Sequence, residues 1–497
     1  MELYLESFYI DNADHKKEKR RIGMTAYHLA VDIGASSGRH IIGWLENGKL
    51  QLKEIYRFEN RLTEKNGHLC WDIDGLAEHV IQGIAACAEA GFAPATMGID
   101  TWAVDFVLLD QNGNRISDAV AYRDERTNTV RRELEEKGIL SFEEHYEKTG
   151  IQYQKFNTVY QLTALKNEHP EQLEQAECML MIPDYLNYLL TGKKAQEYTN
   201  ASTTALVNAY TKNWDQDLIH KLGLPGKIFL PIAEAGTVLG EFSEEIRERT
   251  GLNMKVILPA THDTGSAFLA VPAKDENAVF LSSGTWSLLG VENREPITSV
   301  SSMEQNFTNE GGYEYRYRYL KNIMGLWMIQ NIRKELADEN GNRPSFPKLI
   351  EEAENAKEFT ALLDVDEDRF LAPESMIEEV KKACADSGQA VPQTTGEVMR
   401  TVYISLADDY RRAVASLEKL TGKKYTSMNI VGGGSQDMYL NQMTANATGL
   451  TVYAGPTEGT ALGNLLVQMI EEKEIDSLQS ARNIIRDSFE IKEVKPQ

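Results

Sequence analysis

The chain has 497 residues, 42% of them apolar and 26% charged, ordinary values for a globular protein long enough to form two or three domains. Its formal net charge of −23, from 52 basic and 75 acidic side chains, argues against non-specific nucleic-acid binding. No apolar run approaches bilayer length, so no membrane partner is expected. Four widely spaced cysteines (Cys70, Cys87, Cys178 and Cys384) include no CxxC pair, which points to buried thiols in a reducing, cytoplasmic setting.

Residues 1–23 include HKKEKRR at 15–21 with no apolar segment close behind, so they read as a disordered extension and not as a signal peptide. Met24 would be a natural first residue. A short apolar strand is expected over Tyr27–Asp32, then the turn Gly34–Gly38. Arg39–Leu45 and Leu50–Phe58 read as further strands joined by the hairpin signal Asn47-Gly48. GASSGR at 34–39 resembles a dinucleotide loop, but such a loop opens a helix, whereas HIIGW at 40–44 continues as strand. The Tyr-x-x-x-Lys pair that dehydrogenase chemistry needs is found only at Tyr317 and Lys321, in the other half of the chain. Hydride chemistry is therefore rejected.

An amphipathic helix is expected over Asp72–Ala90, with Leu76, Val80 and Ile84 on one face. Strands are expected over Thr96–Thr101 and Val104–Leu109. A capping box over Ser141–Glu144 should open a mainly helical region to about Leu222. Lys255–Ala260 is a strand delivering THDTGSA, and VPAKDEN at 271–277 is a link. A second strand-loop-strand unit spans Ala278–Gly290. Thr395–Leu420 is a long helix, and the strand Met428–Val431 runs into three glycines. The strand Leu450–Ala454 and a helix near Gly459–Ile470 close the pattern. The stretch Ser36–Asn47 is echoed without a gap by Ser282–Asn293. This suggests duplicated units, each offering a phosphate-binding hairpin to a shared cleft.

Several loops carry chemistry. Small residues over 34–38 let backbone N–H groups converge on an anion. Ser36 and Ser37 add hydroxyls, Arg39 adds a charge, and Asp32 is placed to hold Mg2+, directly or through water. The same residues also suit a plain turn. Asp263 in the HD loop suits a base that accepts a hydroxyl proton late in phosphoryl transfer, and His262 suits a polyol contact. SSGTWS at 282–287 would complete a phosphate clamp through Gly284 and Thr285, and Gly432–Gly434 permit close packing of a nucleotide. GIDTWAVD at 98–105 combines an aromatic with polar groups, as a sugar site does. Trp102 fits a core role equally well, and Asn322 and Trp327 in LKNIMGLW invite the same two readings.

Taken in order, DIGASSGR, GIDTWAVDFVLLD, AYRDERT, THDTGSA, LSSGTWSL, NEGG, LKNIMGLW and IVGGGSQ resemble the FGGY carbohydrate kinases of the actin-like ATPase superfamily, from about Met24 to Ile470. The resemblance implies an α/β fold of two ribonuclease-H-like domains flanking a nucleotide cleft, with 24–272 binding sugar and phosphate and 273–497 binding the adenine nucleotide. It implies Mg·ATP-dependent phosphorylation of a ketose, L-rhamnulose at its 1-hydroxyl, with Asp263 as proton acceptor. By the same resemblance Ala35, Ser36, Ser37, Gly38, Arg39, Thr285, Gln330 and Gly433 contact ATP. Ala103, His262, Thr264 and Asn322 contact the sugar. Ala103 departs from the family's common glycine. A monomer or small homo-oligomer is expected. A kinase for another ketose, L-fuculose or D-xylulose, would share every ATP loop. A non-metabolic actin-like ATPase is disfavoured by Asp263 beside His262 and by the aromatics near Asp105.

Overall fold

A computed structural model describes residues 25–497; the expectation for residues 1–23 lies outside them. The first strands are β1 (His28–Ile33), β2 (Ser37–Glu46), β3 (Lys49–Glu59) and β4 (Thr96–Thr101), with helix α1 (Ile73–Glu89) between β3 and β4. Helix α1 starts at Asp72, whose carboxylate accepts from Gly75 N–H, and buries Leu76, Val80 and Ile84 as its periodicity predicts. Strands β5 (Val238–Glu241) and β6 (Lys255–Ile257) complete a six-stranded sheet ordered β5-β6-β4-β1-β2-β3. Helix α2 (Asp263–Leu269) follows β6.

A second sheet is built from β7 (Ala278–Ser283), β8 (Trp286–Asn293), β9 (Thr308–Gly311), β10 (Tyr317–Met324), β11 (Ser427–Val431), β12 (Thr451–Ala454) and β13 (Lys492–Val494). Its order is β9-β10-β8-β7-β11-β12-β13. Strands β3-β2-β1-β4-β6-β5 and β10-β8-β7-β11-β12-β13 match position for position. In both sets the pairs run antiparallel, antiparallel, parallel, parallel, antiparallel. β9 is an added edge. The architecture is thus the two-unit α/β fold expected from the motifs.

The echo between Ser36–Asn47 and Ser282–Asn293 marks corresponding hairpins but not equivalent residues. Ser37 begins β2, whereas Ser282 and Ser283 still belong to β7. Two other local readings are corrected. The strand expected from Val104 begins at Phe106, because Val104 has φ +67°, a left-handed conformation that interrupts extended backbone. At Ser141 only half of the capping box forms. Its hydroxyl accepts from Glu144 N–H, but the Glu144 carboxylate pairs with Lys221 at 2.7 Å. The reciprocal box is found at Thr394 and Glu397, opening the long helix Thr395–Thr421.

Three more helices matter to the site: α3 (Trp327–Glu335), α4 (Gly459–Glu471) and α5 (Leu478–Ser488). α4 leaves the second sheet and packs on the first. Ala461 and Leu465 pack with Ala30 and Ile41, and Leu462 and Leu466 with Ile257 and Leu269. Its polar positions bond the same strands. Asn464 donates to Gly98 O at 3.1 Å and to Asp100 at 2.6 Å, and Gln468 donates to Leu29 O at 3.0 Å. The C-terminal part of the chain therefore helps to build the N-terminal core. All four cysteines are buried and free. Among the described residues, no helix is long and apolar enough to cross a membrane.

Candidate active site

Between the two sheets lies a cleft of about 400 Å³. Its N-terminal side is lined by Ala35, Ser36, Trp102 and Ala103, its floor by His262, Asp263 and Thr264, and its C-terminal side by Thr285, Trp286 and Asn322. Parallel strands that end at one edge of a sheet deliver their following loops to a common crevice, which is why segments as far apart in sequence as Ala35 and Asn322 meet here.

Asp32 on β1 and Asp100 on β4 are register neighbours, and Thr101 bridges to His262 in the next loop. This brings the Asp263 loop beside both carboxylates. Burial, then the charge of Asp32, pushes the Asp100 carboxyl well above the ordinary carboxylate range. Burial and Asp32 likewise push Asp263 up to about 6, against the opposing hydrogen bonds from Thr264. Asp263 opens α2. Its Oδ1 accepts from Thr264 N–H and, at 3.0 Å, from the Thr264 hydroxyl, and 31% of its side chain faces the cleft.

His262 is held neutral by burial and then by the Arg318 charge, which together set it well below the usual histidine range. Arg318 Nη2 donates to His262 Nδ1 at 2.9 Å. An arginine cannot accept, so the ring proton resides on Nε2, 3.3 Å from Asp263 Oδ1. Arg318 is buried, donates to Gly311 O at 2.9 Å and pairs with Glu310 at 3.0 Å. Glu197 fixes the same loop from behind. This fully buried carboxylate accepts from Thr261 N–H (3.1 Å) and Oγ1 (2.6 Å), and from Thr199 N–H (2.9 Å) and Oγ1 (2.6 Å).

The β1–β2 hairpin is closed by Gly34 N–H to Ser37 O at 2.9 Å and is tied to Asn60, whose amide donates to Gly34 O at 3.0 Å. Gly38 lies on β2 beneath the Phe58 ring, where a Cβ would collide with it. Arg39 donates twice to Asp32 Oδ2, at 3.0 and 2.8 Å, and pairs with Glu458 just before α4. The Arg39 guanidinium therefore joins two carboxylates here. Gln330 is exposed on α3 and does not line the cleft.

The three glycines divide their work. Gly432, at φ +84°, and Gly434 pack against Ser283 of the β7–β8 hairpin, while the Cβ position of Gly433 faces open space. The GLW turn docks on that same hairpin. Leu326 N–H reaches Gly284 O at 3.0 Å and Trp327 N–H reaches Thr285 O at 3.2 Å. The Trp327 indole bonds Phe370 O at 3.3 Å and packs on the second core, so of its two readings the structural one holds.

Sequence alone does not single out Glu197, Arg318 or Asn60. Glu310 and Gly311 stood in the quoted NEGG motif without a role, and Arg318 lies in the run YEYRYRYLKN. No local motif marks Glu197, Arg318 or Asn60 for these roles, because Glu197 acts on Thr261, Arg318 on His262 and Asn60 on Gly34, each well removed in the chain.

Residues 27–270 match the N-terminal domain, and residues 279–472 the C-terminal domain, of the FGGY family of carbohydrate kinases. The chain is 51% identical over 468 residues to a rhamnulokinase of Oceanobacillus iheyensis, covering 94% of this chain and 98% of that protein. It is 44% identical over 471 residues to a rhamnulokinase of Bacillus subtilis, covering 95% of each. Among solved structures it resembles a gluconate kinase from Lactobacillus acidophilus (TM-score 0.79, 18% identity, 95% of this chain and 94% of that one). It also resembles a Plasmodium falciparum glycerol kinase with ADP (TM-score 0.76, 15% identity, 95% of each). The motifs, the duplicated sheets and these likenesses agree: the chain belongs to the FGGY family of carbohydrate kinases.

Proposed function

We propose that this enzyme transfers the γ-phosphate of ATP to the 1-hydroxyl of L-rhamnulose, giving L-rhamnulose 1-phosphate and ADP. The observation that carries the reading is the position of Asp263: a carboxylate raised to about 6, at the floor of a cleft with a phosphate-type hairpin on one side and an aromatic wall on the other. A base with a pKa near the working pH is suited to take a proton as the hydroxyl oxygen bonds to phosphorus and the bond to ADP breaks. The Asp263 carboxylate receives that proton. Neutral His262 keeps its Nε2–H beside Asp263, able to orient the carboxylate or a sugar oxygen without adding positive charge. Closure of the two units over the sugar would exclude water as a competing acceptor.

The residues fit a divalent cation. Asp32 and Asp100 are register neighbours beside the Asp263 loop, and Asp100 Oδ1 is buried with no hydrogen-bond partner. Arg39 takes one oxygen of Asp32, so Asp32 would hold Mg2+ through the other, directly or through water. When bound, the ion neutralises charge shared by the β- and γ-phosphates. Backbone groups over Ala35–Gly38, with Thr285 and Gly433, are assigned to ATP, together with Arg39 and Gln330. Ala103, His262, Thr264 and Asn322 are assigned to the sugar. We further infer domains at 24–272 and 273–497, a cytoplasmic location, and a monomer or small homo-oligomer. Phosphorus–proton correlated NMR of the product tests the chemistry: coupling of the new phosphate to the C1 protons is expected, and coupling elsewhere on the sugar would overturn the assigned acceptor.

A further inference from the structure

L-rhamnulose differs from a five-carbon ketose by a terminal methyl carbon, so the enzyme needs an apolar wall to recognise it. We propose that this wall is the cleft face formed by Trp102, Val104, Tyr122, Ile151 and Phe156, and that Asp105, which does not itself line the cleft, sets its shape. Asp105 is a positioning residue on this account. The inference rests on the ketose-kinase reading above and adds the element that selects among ketoses.

The hydrogen bonds converge on this one carboxylate. Asp105 is 1% exposed. Its Oδ2 accepts from Trp71 Nε1 at 2.6 Å, Trp102 Nε1 at 2.9 Å and Tyr122 N–H at 3.0 Å. Its Oδ1 accepts from Gln161 Nε2 at 2.9 Å. The Gln161 amide shares its N–H groups with Phe156 O at 2.9 Å and Val104 O at 3.2 Å. The Gln161 carbonyl is fixed by Arg126 Nη2 at 2.8 Å. Four of the five wall residues are thus held by Asp105 directly or through Gln161. The Trp71 and Trp102 rings lie 4.1 Å apart between centroids, and Tyr122 meets Phe156 edge-on at 5.4 Å, so a shift in one ring moves the others.

Val104 shows that the network overrides local preference. A β-branched residue at φ +67° is strained, yet its carbonyl is held by Gln161 and by the Thr158 hydroxyl at 2.7 Å. Burial pushes the Asp105 carboxyl upward, while its four donors pull it back. Four donors need an acceptor-only group. An asparagine would turn an N–H2 toward either the indoles or Gln161, leaving donor facing donor on one side.

The test is steady-state kinetics of wild type and Asp105→Asn with ATP and either L-rhamnulose or L-xylulose, the five-carbon ketose that matches L-rhamnulose at C3 and C4 and lacks only its terminal methyl. A methyl group in an apolar pocket is worth roughly tenfold or more in discrimination. Asp105→Asn should therefore raise KM for L-rhamnulose about tenfold and lower the L-rhamnulose to L-xylulose ratio of kcat/KM by a similar factor. KM for ATP should stay within about twofold, and kcat at saturating sugar within about threefold. Trp102→Phe, which removes one indole donor, should combine with Asp105→Asn less than additively on that ratio. Should Asp105→Asn not fold, Gln161→Met, which leaves the carboxylate both indoles, is expected to move the ratio in the same direction. A ratio unmoved in a folded variant, or strictly additive effects, overturns the inference while leaving the kinase reading intact. A wild type that phosphorylates no ketose overturns the kinase reading and this inference with it.

Discussion

Replacing Asp263 with asparagine should do two opposite things. The side chain keeps its size, and its carbonyl can still accept from the Thr264 backbone and hydroxyl, which now bond Oδ1. What is lost is a charge held where burial and Asp32 oppose it. The rise from 3.8 to about 6 corresponds to ~3 kcal/mol of penalty on the ionised folded state. About a third of the side chain meets solvent in the cleft, so screening leaves roughly 1–2 kcal/mol. Asp263→Asn should therefore stabilise the ligand-free protein by about that amount at pH 7.5. The sign follows from linkage. The folded state binds the proton more tightly than the unfolded chain, so the gain is full above about pH 6 and fades as pH falls toward 4, where both states protonate Asp263. Activity should move the other way: loss of a general base lowers kcat by roughly 10²–10⁴-fold, with ATP binding retained. Urea unfolding of both proteins at pH 7.5 and pH 4.5, alongside turnover, measures all of this. A variant equally or less stable at pH 7.5, or a difference that does not change with pH, would refute the electrostatic reasoning. An active variant would refute the role of Asp263.

Four further outcomes are expected. kcat/KM for the sugar, which reports the free enzyme, should fall about tenfold per pH unit below the apparent pKa of Asp263, near 6 in the ligand-free protein; a flat profile between pH 5 and 7 would contradict its assignment as base. Glu197→Gln places an amide against the Thr261 N–H and hydroxyl, so kcat should drop at least about tenfold with little change in sugar KM, and stability should fall by roughly 1–3 kcal/mol in chemical denaturation. Gly325→Ala drives a methyl against the backbone of Thr285 and Trp286, at 2.7 and 2.6 Å, so it should raise KM for ATP and cost roughly 1–3 kcal/mol of stability; unchanged ATP kinetics would argue that the hairpin tolerates displacement. Chelation with EDTA should abolish turnover, and added Mg2+ should restore it.

What the sequence made legible follows from distance along the chain. The β1–β2 hairpin, helix α1 and the HD loop are local: alternation, a 3.6-residue period and small-residue turns specify each within about twenty residues, and the structure reproduces them. The cleft residues Ala35, Ser36, His262, Asp263, Thr264 and Thr285 come together because each lies in a segment that follows a strand whose position in its sheet is set by the topology. The supports were not legible for the opposite reason. Glu197 acts on Thr261, Arg318 on His262, and Gln161 on Asp105, over separations with no period or motif. The apolar stripe of α4 predicts burial but not which sheet will bury it, and it crosses to the first. Val104 has the propensity of a strand residue, and tertiary hydrogen bonds override that preference.

The proposed reaction is a sugar-dependent phosphoryl transfer specific for one ketose. ADP release from Mg·ATP, followed in a coupled assay across L-rhamnulose, L-fuculose, D-xylulose, L-ribulose and glycerol, measures that specificity. Strong turnover with L-rhamnulose and little with the others is the predicted result. A higher kcat/KM for a different sugar would contradict the substrate assignment, and ATP hydrolysis indifferent to every sugar would contradict the kinase account itself.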